Sequence, residues 1–188
     1  LIKGEISDKK LAGFAGKLEE ALGKISHSLE FAHSYQDMGM KPPRWSEVNQ
    51  IFLLAISHLD FSRIKHIVKL DGLEIFADPL LERAFQILAG NTITHGGNAK
   101  QVSLTCVEMS DGDLKIVYQD DGQGIAENVK REIFSRDFLH KKGLDLYLAR
   151  EILEITGMSI VENGVQGEGA RFEITVPKGA WRFTGKKE

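Results

Sequence analysis

From Asp8 to Gln36 the chain holds no proline, and apolar residues return every three or four positions at Leu11, Phe14, Leu18, Leu22, Ile25, Leu29 and Ala32. That is a helical period. Leu11, Leu18, Ile25 and Ala32 also form a seven-residue row, the seam of a helix that packs on another helix. Lys17, Glu19, Glu20 and Lys24 supply its polar face. Residues 1–40 are therefore expected to be helical, their apolar stripe serving either as an ordinary amphipathic face or as part of a dimer or bundle. Gly39-Met40-Lys41-Pro42-Pro43-Arg44-Trp45 ends the helix, because paired prolines disfavour helical geometry, and residues 41–45 read as a hinge.

Beyond the hinge the period changes repeatedly. Ser46 can cap a helix with Val48, Ile51, Phe52, Ala55, Ile56 and Leu59 on one face. Residues 64–70 and 73–76 read as two strands around an Asp71-Gly72 turn. Pro79 suits a first helical turn, Leu80, Leu81, Ala84, Phe85 and Leu88 follow at helical spacing, and His95-Gly96-Gly97 ends that helix. Residues 101–108 and 114–119 form a hairpin pattern around Ser110-Asp111-Gly112-Asp113. A charged, irregular stretch over 126–142 precedes a helix over 144–155 closed by Gly157. Residues 159–162 and 171–176 make a last strand pair around a glycine-rich turn at 164–169, and residues 181–188 read as a tail. Helices alternating with hairpins predict an α+β fold: a two-layer α/β sandwich over 46–180, with a mixed sheet, helices on one face, and a long helix in front.

Composition adds limits. The 188 residues suffice for one domain and an appendage, and 42% hydrophobic with 27% charged residues is a globular balance. Lys+Arg 24 against Asp+Glu 27 gives a net charge of −3, which leaves no overall positive field for nucleic acid or for membrane contact by this chain. The lone Cys106 excludes an internal disulfide and fits a reducing, cytoplasmic setting. The longest apolar run, over 51–56, is far short of the roughly 20 residues that span a bilayer. The first residue is Leu1 rather than Met, which reads as a piece of a longer protein, and a membrane anchor upstream in that parent is compatible with it.

Four short motifs carry the chemistry. Asn91 and His95 lie four apart on one helix face near its C-terminal end. Asp120-Asp121-Gly122-Gln123-Gly124-Ile125 follows a strand directly, where glycines let a ligand approach the backbone and a carboxylate accepts a hydrogen bond from it. Lys141-Lys142-Gly143-Leu144-Asp145-Leu146 opens a helix, and Gly167-Glu168-Gly169-Ala170-Arg171-Phe172 opens a strand. Their order over roughly 46–176 resembles the ATP-binding domain of sensor histidine kinases. That is the Bergerat fold shared with the ATPase domain of DNA gyrase, mismatch-repair ATPases and a heat-shock chaperone.

The resemblance implies roles. Asp121 would accept from the adenine amino group, with Gly122, Gly124 and Ile125 shaping the adenine pocket. Asn91 would ligand a Mg²⁺ that bridges the phosphates of ATP, and His95 would stand near those phosphates. Lys141 or Lys142 would neutralise them, the backbone at Gly143 and Leu144 would bind phosphate oxygens, and Gly167 and Gly169 would close the base of the site. Phe134 and Phe138 match an aromatic lid box. The helix over 8–36 looks like the second helix of the dimerisation and phosphoacceptor hairpin, and residues 31–45 look like the junction of a subset of archaeal kinases.

On this reading the chain is the catalytic part of a two-component histidine kinase, a phosphotransferase acting on a histidine upstream of Leu1. Its partners are a second copy through the N-terminal helix and a response regulator. None of the six histidines has the acceptor's usual neighbours. Three departures stand out: Ile87 occupies a usually polar position, Gly90 a common Asp, and Asp145 a glycine that brings backbone to phosphate. They motivate a second reading, a degenerate kinase kept as a dimeric signalling scaffold. A serine kinase of the anti-sigma type is a third, although it needs no preceding helix.

Overall fold

The computed structural model describes residues 2–70, 72–135 and 145–185. The chain divides into two compact units, Leu1–Asp37 and Met38–Glu188. The first is one helix, α1 (Ile2–Asp37). Its stripe residues Leu11, Phe14, Leu18, Leu22, Ile25 and Leu29 are each more than half exposed. Near its end the rings of Phe31 and Tyr35 stack at 5.8 Å, and His33 Nδ1 lies 3.2 Å from Asp37 Oδ2 one turn on.

The second unit runs β1 (Arg44–Glu47), α2 (Val48–Ser57), β2 (Lys65–Lys69), β3 (Leu73–Ala77), α3 (Leu81–His95), β4 (Gln101–Glu108), β5 (Leu114–Asp120), α4 (Asp145–Glu154), β6 (Ser159–Glu162), β7 (Arg171–Val176) and β8 (Trp181–Phe183). A five-stranded sheet has the order β2-β4-β5-β7-β6. It is mixed: β2 runs parallel to β4, and the remaining pairs are antiparallel. A second sheet has the order β1-β3-β8.

Strand parity sorts the large sheet into two faces. Val102, Leu104, Leu114, Ile116, Tyr118, Phe172, Ile174 and Val176 point inward and are almost wholly buried. Phe52 of α2 meets Phe85 of α3 edge-on at 5.8 Å and Tyr118 of β5 at 6.2 Å, and Tyr118 meets Phe172 of β7 at 6.3 Å. These rings tie α2 and α3 to one face of the sheet. Burying such side chains stabilises the fold by about 2 kcal/mol each. The other face carries a polar ladder in which Glu173 takes Lys115 at 2.8 Å and Arg171 at 2.9 Å.

Three expectations change. Ser46 is not the cap of α2: it lies buried in β1 opposite Ile75, and Glu47 caps instead, accepting from Asn49 N at 3.1 Å and Gln50 N at 2.8 Å. The strands β2 and β3 do not form a hairpin but belong to different sheets. A parallel β2–β4 pair needs a long crossover, and β3 with α3 fills it. Residues 181–183 are not a tail, since β8 pairs with β3 and Trp181 Nε1 donates to Gly112 O at 3.1 Å. The turn residue Asp71 and the last residues 186–188 lie outside the described residues.

α3 starts at Leu81, with Leu80 as its N-cap, so Pro79 precedes the helix rather than lying in its first turn. Asp78, almost fully buried, accepts from Leu80 N at 2.8 Å and from Gly39 N at 3.2 Å, anchoring the entry to the helix. The β4–β5 hairpin forms as read, with Asp111 Oδ1 accepting from Asp113 N at 3.0 Å and Gly112 at φ +93.

Candidate functional site

The inward parity of β5, carried by Leu114, Ile116 and Tyr118, ends on Asp120. A carboxylate therefore sits at the edge of the apolar core, 3% exposed. Burying it requires partners. Oδ1 accepts from Gly122 N at 3.0 Å and from Ala170 N at 2.9 Å, and Oδ2 accepts from the Thr92 hydroxyl of α3 at 2.7 Å. Thr92 Oγ1 is in turn 2.8 Å from the Tyr118 hydroxyl. Burial holds that phenol above its ordinary range, against a lowering by the bond to Thr92.

Around this carboxylate three distant segments meet through their backbones. Gln123 N donates to Gly96 O at 3.1 Å, Gln123 Nε2 to His95 O at 2.6 Å, Gly167 N to Gln123 O at 2.8 Å, and Asp120 N to Ala170 O at 3.0 Å. The approach explains the glycines. A side chain at Gly122 would strike Gly96, one at Gly124 would come within 2.6 Å of Val165 O, and one at Gly169 would strike the carbonyl of Asp120. Gly169 also adopts φ +116, a region that L side chains rarely enter. An open hollow of about 330 Å³ beside this junction is lined by Gly97, Asn98, Asp121, Gly122 and Gln123. Its size is at the low end for small-molecule sites.

The residues expected to form the site fall into three groups. Asn91 and His95 share α3, Asn91 half-buried and His95 exposed as its last residue, with its carbonyl bound to Gln123. Gly122, Gly124, Gly167 and Gly169 come together with the His95–Gly96 end of α3 at the junction, and Ile125 follows Gly124 in the same loop. Lys141, Lys142, Gly143 and Leu144, with Phe138 of the aromatic pair, lie outside the described residues. Phe134 is buried and meets Phe172 edge-on at 6.3 Å, so it is a core residue. Ile87 is likewise core, Gly90 has open space where a side chain would start, and Asp145 is the first residue of α4.

Asp121 behaves differently from its neighbour. It is exposed, and its Oδ1 accepts from Lys100 N at 2.7 Å and Gln101 N at 2.9 Å, closing the start of β4. Partial desolvation pushes its carboxyl up, and the N–H groups of Gln101 and Lys100 outweigh that and hold it below the usual range. The burial of Asp120 was not expected from the sequence, although parity along β5 is a signal of it. Reading the sequence missed Lys130, whose Nζ lies 2.9 Å from Glu127 Oε2 and 3.4 Å from Glu162 Oε2 and donates to Gly164 O. Glu162 Oε1 accepts from Gly164 N at 2.9 Å and Arg171 N at 3.1 Å, so this pair ties the segment after the Asp-Gly loop to the glycine turn.

Comparison with known proteins fits this geometry. The sensor histidine kinase ZraS of Escherichia coli O157:H7 is 36% identical over 110 residues, 55% of this chain, and the chain spans 23% of that protein's length. The fold is shared with the mycobacterial sensor histidine kinase MprB at 17% identity, covering 72% of this chain and 97% of that one with a TM-score of 0.61. It is shared too with full-length ShkA in complex with AMPPNP, at 21% identity, 84% of this chain, 36% of that one and a TM-score of 0.66. Residues 77–180, more than half the chain, match the family described as "Histidine kinase-, DNA gyrase B-, and HSP90-like ATPase". The chain belongs to the family of histidine kinase-, DNA gyrase B- and HSP90-like ATPases.

Proposed function

We propose that this chain is the ATP-binding catalytic part of a sensor histidine kinase, which transfers the γ-phosphoryl of ATP to a histidine on a helix upstream of Leu1. The observation that carries this reading is the junction of three separate segments, the end of α3, residues 120–124 and residues 164–170, around one buried carboxylate. Likeness to ZraS supports the kinase subclass, and the AMPPNP bound by ShkA supports the nucleotide.

Within this reading the acceptor for the adenine amino group is Asp120 rather than Asp121. Asp120 lies in the junction between α3 and the glycine turn, whereas the Oδ1 of Asp121 is engaged by the backbone at the start of β4. The residues present fit a magnesium nucleotide. The half-buried Asn91 of α3 offers an amide oxygen, and Mg²⁺ would be held by it together with phosphate oxygens and water. Such a set suits a hard cation that keeps part of its hydration. When bound, the ion neutralises phosphate charge. Phosphoryl transfer then rests on positioning, to which Asn91 and His95 would contribute, with Lys141 or Lys142 neutralising phosphate charge.

The exposed stripe of α1 supports a homodimer through that helix, with a response regulator as the second partner. Among the described residues no helix is long and apolar enough to cross a membrane. The single cysteine, Cys106, supports a cytoplasmic site. The scaffold reading keeps one specific support, the burial of Ile87 at a place expected to be polar.

Calorimetry with AMPPNP, with and without Mg²⁺, tests the nucleotide site. A chain extended upstream of Leu1 and given labelled ATP tests transfer. We expect Mg²⁺-dependent binding by the chain and labelling of the extended protein alone. No heat and no thermal shift at millimolar nucleotide would sink the kinase reading and leave the scaffold.

A further inference from the structure

Tyr118, Thr92 and Asp120 are 0%, 1% and 3% exposed, so their hydrogen bonds form in a space closed to bulk water. The directions of those bonds follow from proton counting. A carboxylate that receives every contact has no proton to give, so the single hydroxyl hydrogen of Thr92 goes to Asp120 Oδ2 at 2.7 Å. Thr92 Oγ1 must then accept from Tyr118 across 2.8 Å. The order Tyr118 to Thr92 to Asp120 is fixed.

The same count limits what Asp120 can still do. An ionised carboxylate offers about four lone-pair sites. Gly122 N and Ala170 N occupy the two on Oδ1, and Thr92 occupies one on Oδ2. One acceptor site on Oδ2 is left. With Thr92 removed, nothing on Oδ2 fixes which edge the carboxyl presents, because the terminal torsion of an Asp side chain is broad and roughly two-fold.

We propose that Thr92 and Tyr118 are positioning residues for ligand choice, holding Asp120 as a pure acceptor with one open site and thereby favouring a purine edge that donates over one that accepts. The inference rests on the nucleotide reading above. It goes beyond it by giving a role to two buried side chains, Thr92 and Tyr118. A 6-amino purine presents an N–H to the open site, whereas a 6-oxo purine presents a carbonyl, which leaves both oxygens unpaired and is strongly rejected by a site built for a donor.

The experiment measures Kd for ADP and for inosine 5′-diphosphate, with Mg²⁺, on the chain and on three variants. Tyr118→Phe keeps the ring that packs on Phe52 and Phe172 and removes only the first donor of the relay. Thr92→Val keeps shape and removes the hydroxyl, and Thr92→Ser restores it. Losing a hydrogen bond to a charged group should cut the ADP-over-inosine preference about tenfold in Thr92→Val, and losing a neutral one about threefold in Tyr118→Phe. Thr92→Ser should stay within about threefold of the unmodified chain. Thermal melts record stability separately, and a change in stability alone does not move the ratio. A ratio unchanged in both Thr92→Val and Tyr118→Phe overturns the relay and leaves the nucleotide reading intact. Failure of the unmodified chain to bind either nucleotide overturns both.

Discussion

Lys130 Nζ stands 3.4 Å from Glu162 Oε2, with the Glu162 side chain wholly buried and that of Lys130 11% exposed. Among the described residues this oxygen accepts no hydrogen bond, so the lysine charge is what compensates it. The pair joins the segment after residues 120–125 to the turn at 164–169.

Removing one partner of such a pair leaves the other charge uncompensated, whereas removing both is far milder. Lys130→Met should therefore lower the urea midpoint more than Lys130→Met combined with Glu162→Gln. A double variant as unstable as the sum of the single ones would show that the two charges do not interact.

Asp120 and Asp121 separate cleanly by conservative change. Asp120→Asn introduces an N–H₂ among three donors and should abolish ADP binding. Asp121→Asn keeps an oxygen for Lys100 N and Gln101 N and should reduce affinity only a few-fold, a loss in line with weakening one exposed hydrogen bond. Calorimetry reads both. The opposite ranking would return the adenine contact to Asp121.

Gly167 and Gly169 are both in left-handed conformations, at φ +94 and φ +116, but their surroundings differ. Nothing stands within 4 Å of a side chain at Gly167, whereas one at Gly169 meets the Asp120 carbonyl. Gly167→Ala should cost about 1 kcal/mol of conformational strain. Gly169→Ala should cost more than about 3 kcal/mol, because backbone must move as well. Chemical denaturation of the two variants checks the ranking.

Glu173 gives the fold an acid limb. The hydrogen bond from Lys115 lowers its carboxyl most, with help from Arg171 and Asn163 against the penalty of burial, to about 2 from an ordinary 4.5. A depressed carboxyl stabilises the folded chain fully above its unfolded value and loses that contribution as pH falls towards the folded one. The contribution at neutral pH is about 3 kcal/mol. Melting temperature should therefore drop between pH 5 and pH 2. Glu173→Gln should be less stable at pH 6 and fall less steeply below it. Parallel slopes for the two proteins would assign the acid limb elsewhere.

The elements that alternate or repeat cleanly were readable from the chain. β7 alternates polar and apolar residues throughout, β4 and β5 do so over most of their length, and α3 and α4 keep a helical period. The β2–β3 relationship was not, because an Asp-Gly pair signals a local turn while the partner of β2 lies beyond α3. β1 and β8, four and three residues long, are too short to show a period. The glycines of the site were legible as motifs, but their reason was not. At Gly122, Gly124 and Gly169 the backbone they admit is the protein's own. Asp120 and Asp121 look alike in a string, and the inward parity of β5 is what shows that the first is buried and the second exposed.

β3 is the middle strand of the small sheet, with β1 on one side and β8 on the other. During synthesis β8 leaves the ribosome after every other strand of its unit, so one edge of β3, with Leu73 and Ile75 in its core face, stays open until the sheet's last partner emerges. An unpaired apolar edge is a template for another chain. Cutting the chain before Trp181 would make that transient state permanent, and the shortened protein should associate through β3.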